Sequence, residues 1–172
     1  MTQTTDTQGQ VLPAVEMPSA EKLRVYGDMM FLAFRSERHS EMTISTLRAY
    51  FQPAVELGQF RIFRFDDVPR GMYTWAHLTR DAERKLIKGT PLAPEDWCSG
   101  DRLWIMDIIA PYRGLAASMV RWIMKPGNFS DTEFLFRRVA GANQTRRIVH
   151  IDFRADRLSR VYNDASFLAK AA

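Results

Sequence analysis

The chain has 172 residues, of which 46% are hydrophobic, 12% aromatic and 26% charged, with a formal charge of +4. This composition excludes a disordered or fibrous chain, the length suits one core, and no apolar run approaches the roughly 20 residues of a membrane-spanning helix. Charge is uneven: residues 134–172 carry eight Lys or Arg against three Asp (+5), whereas residues 1–133 carry 16 basic against 17 acidic groups (−1).

Residues 1–18, rich in Thr and Gln with Gly9, Pro13 and Pro18, have neither helical nor strand period and read as a flexible arm ahead of one domain over 19–172. The arm lacks Lys, Arg and any apolar block, so no secretory signal is read and the cytoplasm is the expected location. Ser19 is a helix N-cap, and Leu23, Tyr26, Met30 and Ala33 recur at helical spacing toward Arg35. After a polar break at Ser36–Ser40, the spacing of Ile44, Leu47 and Phe51 predicts a second helix, stopped near Gln52 by the following Pro53. Phe60–Phe65 and Met72–Leu78 read as an antiparallel hairpin across an Asp66–Gly71 turn. Thr79 then caps a charged helix to about Lys88.

Leu103–Ile109 is the most apolar run and reads as a central strand, followed by a helix from about Leu115 with Met119, Trp122 and Ile123 inward. Phe134–Val139 and Arg147–Phe153 suggest another hairpin, and Leu158, Val161, Ala165 and Leu168 have the spacing of a terminal helix. The order describes an α/β (α+β) fold with a mostly antiparallel mixed sheet flanked by helices.

Asp107 is the most informative residue. Strict alternation puts it in the row of Leu103, Ile105 and Ile109, opposite Trp104, Met106 and Ile108, so a carboxylate sits among apolar neighbours and needs a partner. Backbone N–H groups of a neighbouring loop are one possible partner; a histidine is the other. Among the three histidines, His77 lies in a strand, His150 on the polar face of a hairpin, and His39 in the polar break, where loops present functional groups. From local sequence alone His39 also fits an exposed loop residue without function. Cys98 lacks an adjacent cation to stabilise a thiolate and reads as small filler; as the only cysteine it forms no intrachain disulfide. No metal site is expected, because His39, His77, Cys98 and His150 have no short ligand spacing, and there is no P-loop or GxGxxG segment.

The segment from Asp96 to Tyr112, reading D-W-C-S-G-D-R-L-W-I-M-D-I-I-A-P-Y, closely resembles the RTX toxin-activating lysine acyltransferases. Leu47–Glu56 and Tyr73–Leu78 are similar to a helix and a strand of that family, and the resemblance covers roughly residues 22–140. It implies that His39, in a family S-x-x-H segment begun by Ser36, and Asp107, before x-I-A-P, are catalytic, with Ser36 in support. By the same resemblance the fold is GNAT-like without a coenzyme A signature and without a bound cofactor. The acyl donor is acyl carrier protein, the acceptor internal lysines of an RTX protoxin, and a homodimer is expected. His39 would act as general base or carry the acyl group transiently, and Asp107 would fix its tautomer. Because carrier proteins are acidic, Arg137, Arg138, Arg146 and Arg147 are the expected docking residues. Asp152–Arg157 stands where the family resembles F-H-G-G-K, so recognition by that segment is expected to differ.

Two other readings remain open at this point. One is a noncatalytic module on the same fold that binds the carrier or the toxin. The other is a small nucleic-acid-binding protein using the basic C-terminal region and the strand aromatics Phe60, Phe63, Phe65 and Tyr73, although strand spacing makes those aromatics core.

Overall fold

A computed structural model describes residues 5, 7–11, 17–140 and 144–170. The arm expected over 1–18 falls largely on residues 1–4, 6 and 12–16, outside the described residues; Thr5 and Val11 form an isolated antiparallel bridge. Three helices open the chain: α1 (Ala20–Ala33), a single turn α2 (Glu37–Ser40) and α3 (Ile44–Leu57). Ser19 caps α1 by accepting from the Lys22 N–H, but the buried stripe is Val25, Met29, Leu32 and Ala33, with Leu23 exposed. The expected apolar spacing is present; its phase is rotated by about one residue.

Helix α3 runs through Pro53 instead of ending before it. Proline removes one helical hydrogen bond, yet Pro53, Ala54 and Val55 are buried, and the apolar surface of that last turn outweighs the lost bond. Gly58, at φ 67°, then ends the helix in the left-handed region.

Six strands form one sheet in the order β1-β2-β3-β4-β5-β6, comprising β1 (Phe60–Phe65), β2 (Val68–Leu78), β3 (Arg102–Ile109), β4 (Glu133–Val139), β5 (Thr145–Asp152) and β6 (Ser159–Tyr162). Helix α4 (Arg80–Ile87) and a 3-10 turn (Pro94–Trp97) connect β2 to β3, α5 (Leu115–Ile123) crosses from β3 to β4, and α6 (Asp164–Lys170) ends the chain. All neighbours pair antiparallel except β3 and β4, which α5 joins as a parallel pair. The expected mixed, mostly antiparallel sheet with flanking helices is therefore present.

The first hairpin turns more tightly than expected, through Asp66 and Asp67 alone, both at positive φ as a two-residue hairpin requires. At the C-terminus, Leu158 and Val161 do not belong to a helix. Val161 pairs with Val149 on the edge strand β6, and the Asn163 side chain accepts from the Ser166 N–H to start α6 afresh. One face of the sheet carries Met72, Ala76, Leu78 and Trp104 against α1, α3, α4 and α6; the other packs Tyr73, Trp75, Ile105 and Phe134 against α5. Burial pushes the Tyr73 phenol up to about 12.

Candidate active site

The register of β2 on β3 slips between Thr74 and Trp75: Trp75 faces Ile105, and Thr74 faces Asp107. Met106 is the extra residue of a β-bulge, and it reverses the alternation expected for β3. Ile108 stays with Leu103 and Ile105 on the α5 side, whereas Asp107 and Ile109 join Trp104 on the side of α1 and α3. The expected common row of Ile105 and Asp107 is thus corrected, and the correction turns the carboxylate toward the helices that carry His39.

His39 sits on α2. It is buried, 2% exposed, so the loop residue of the sequence reading is in fact a core histidine. The α2 turn is held between α1 and α3, whose Leu32, Leu47 and Phe51 pack with Met72 and Ile109 of the sheet. Its Nε2 lies 2.6 Å from Oδ2 of Asp107, itself 4% exposed, and Oγ of Ser36 lies 2.7 Å from its Nδ1. Ser36 precedes His39 by three residues, the spacing that brings side chains to one side of a helical turn. The other carboxylate oxygen, Oδ1, accepts from Arg38 at 3.2 Å and from the Ile108 N–H at 3.0 Å. An ionised Asp107 accepts from Nε2–H, which leaves Nδ1 with the lone pair that the Ser36 hydroxyl donates to.

Beside this chain of groups the sheet opens. Strands β3 and β4 pair only at Trp104 with Leu135 and Ile105 with Phe136, and beyond those two positions a cleft of about 160 Å³ is lined by Arg38, Asp107, Met106 and Arg137. Burial pulls the Arg137 guanidinium below its usual value; it donates to the Leu86 carbonyl and to Thr145 Oγ1. Arg137 is therefore turned inward, apart from the exposed Arg138, Arg146 and Arg147 with which the sequence reading groups it. Those three lie at the turn end of the β4–β5 hairpin, and Arg138 stands directly across from Arg147.

His77 is half-buried on β2, and His150 is bound to Glu133 at 2.7 Å; neither is near Asp107 in the sheet register. Glu133, His150 and Asp152 converge within 4.8 Å, a grouping the sequence spacing does not reveal, and Arg154 already contacts both acids. Cys98 is exposed and is not filler.

Sequence reasoning gave no role to Arg38, although it adjoins His39, nor to Thr74 or Glu83. Thr74, opposite Asp107, has a buried hydroxyl without a hydrogen-bond partner. Glu83 is 1% exposed and accepts from Arg102 Nε at 2.6 Å and Trp104 Nε1 at 2.8 Å. Its spacing to Leu86 and Ile87 on the inner face of α4 was the available signal.

A mixed sheet parted at a parallel strand pair, with a buried imidazole and carboxylate at the parting, is the architecture of an α/β enzyme. The family is given by comparison: residues 18–152 match the model of the RTX toxin acyltransferase family, and the chain belongs to that family. It is an acyltransferase. It is 30% identical over 145 residues to an RTX-III toxin-activating lysine-acyltransferase of Actinobacillus pleuropneumoniae, covering 80% of this chain and 82% of that protein. It is 32% identical over 118 residues to a protein-lysine myristoyltransferase of Escherichia coli, covering 68% of each. A leukotoxin-activating lysine-acyltransferase of a Pasteurella haemolytica-like species is 38% identical over 87 residues, about half of each chain. No helix among the described residues is long and apolar enough to cross a membrane.

Proposed function

We propose that this protein moves a fatty acyl group from acyl carrier protein to internal lysines of an RTX-type protoxin in the cytoplasm, with His39 and Asp107 as its catalytic pair on a GNAT-like sheet. The observation that carries the reading is the 2.6 Å contact between two side chains that are each 2% exposed, with Ser36 on the remaining ring nitrogen. Family membership and the names of the relatives, which include lysine acyltransferases and myristoyltransferases, support the choice of acceptor.

A lysine ammonium, with a pKa near roughly 10.4, must shed a proton before it attacks a thioester. That first proton goes to solvent. In the proposed path the neutral amine attacks the thioester carbon, and the proton its nitrogen then releases passes to Nδ1 of His39 by way of Ser36 Oγ, while Asp107 holds Nε2–H and stabilises the imidazolium that forms. The amide C–N bond forms, the C–S bond breaks, and the imidazolium gives its proton to the departing carrier thiolate. Arg38 and the Ile108 N–H, both donating to Oδ1, hold the Asp107 carboxyl in orientation. Arg138, Arg146 and Arg147 form the proposed docking face for the acidic carrier; no ion pair is recorded for them among the described residues, and the facing of Arg138 and Arg147 is a like-charge contact that an anionic partner would relieve.

The test is transfer from an acylated carrier to a lysine-containing segment of an RTX protoxin, read as a mass shift of the acceptor. His39→Ala and Asp107→Asn, each checked for a retained circular dichroism spectrum, are expected to slow transfer by about 100-fold or more. Folded variants that transfer at the rate of the unaltered protein overturn the reading, and carrier binding without any transfer would leave a noncatalytic module.

A further inference from the structure

The cleft at Asp107 does not end there. Met106 and Arg137 also line a second hollow of about 340 Å³, which runs under Tyr50 of α3 to Leu86, Leu92 and Trp97. Met106 is the looped-out residue of the β3 bulge, so the distortion that aims Asp107 at His39 also places an apolar side chain at the junction of the two cavities. At its far side the hollow shares Ala49 and Leu92 with a third, of about 630 Å³, along the outer face of α3 past Pro53 and Leu57.

We infer that this groove holds the hydrocarbon chain of the acyl donor, with the thioester at the Asp107 cleft, the first methylenes over Met106, and the chain end passing between Ala49 and Leu92. The inference rests on the acyl-transfer reading above. Among the described residues, Arg137 is the one charged side chain lining the 340 Å³ hollow, and it sits at the junction with the Asp107 cleft. Beyond it the wall offers apolar surface and hydroxyls, which suits neither a phosphate nor an acidic peptide. An extended peptide would also leave its backbone N–H and C=O groups without partners against such a wall, whereas an alkyl chain has none to satisfy. Each methylene taken out of water strengthens binding about fourfold, so a groove of this length discriminates by chain length.

Ala49 is exposed on α3, so a larger side chain there narrows the passage without entering the core. For Ala49→Trp, with Leu92→Trp as a second variant against the passage from its other side, kcat/KM is measured with carrier loaded with octanoyl or tetradecanoyl chains. The tetradecanoyl-to-octanoyl ratio is expected to fall at least tenfold. An unchanged ratio in both variants overturns the inference while leaving the transfer reading intact. Binding of the fluorescent fatty acid cis-parinaric acid separates the two in the other direction. If the unaltered protein binds the probe and Ala49→Trp does not, yet no acceptor lysine is ever modified, the groove assignment stands and the transfer reading falls. If neither protein binds the probe and the ratio holds, the groove assignment falls.

Discussion

Both nitrogens of the His39 imidazole are engaged, one by Asp107 and one by Ser36, and in the proposed path the Ser36 contact carries the proton of the incoming amine. Replacing Ser36 with Ala is therefore expected to lower kcat by roughly 10- to 100-fold while leaving KM for the carrier within about twofold, because the proposed path gives the hydroxyl a part in proton transfer and none in docking. Steady-state kinetics with carrier as the varied substrate check this; a raised KM at unaltered kcat would assign Ser36 to binding. Of this constellation, Asp107 and His39 were legible because an acid in an apolar strand demands a partner. Arg38 and Thr74 were not, since neither breaks a pattern: one is a cation among polar residues, the other a β-branched residue in a strand. The burial of His39 was also hidden, because a polar tetrapeptide gives no sign that two flanking helices close over it.

At the level of elements, the long motif from Asp96 to Trp104 proves to be scaffolding. Ser99 Oγ accepts from the Thr79 N–H, and Arg102 and Trp104 reach Glu83 on α4. A Cβ on Gly100 would lie 2.5 Å from the Leu78 carbonyl oxygen, so only glycine lets that loop cross β2. Glu83→Gln keeps the shape but removes the charge that Arg102 faces, and should cost about 2–4 kcal/mol, seen as a lower urea midpoint with little change in slope. A midpoint within error of the parent would show that the pair is replaceable by a neutral hydrogen bond. The strands and most helices could be read from periodicity and turn residues. Pro53 and the β6 edge strand could not, because burial of the last turn of α3 and pairing with β5 override local preference.

Across the whole molecule, the excess positive charge of residues 134–172 is not one patch. Arg137 is drawn inside beside the Asp107 cleft, whereas Arg138 and Arg147 face each other in the open on β4 and β5. Charge reversal at both, Arg138→Glu with Arg147→Glu, is expected to raise KM for the carrier by about tenfold at low salt and to flatten its dependence on ionic strength. Unaltered kinetics between about 20 and 300 mM salt would place docking elsewhere. The charge bias was visible in composition, but its division between an inward and an outward set depends on which side of β4 each arginine occupies. The sheet itself has a seam. Three strands on each side form an antiparallel meander, and the meanders meet through two paired positions, Trp104 with Leu135 and Ile105 with Phe136. Both cores run across that joint, Trp104 clustering with Leu135 and Ile148 on one face and Ile105 with Phe134 and Val149 on the other, so packed side chains hold the halves together and the backbone edges are free to stand apart where the acid sits.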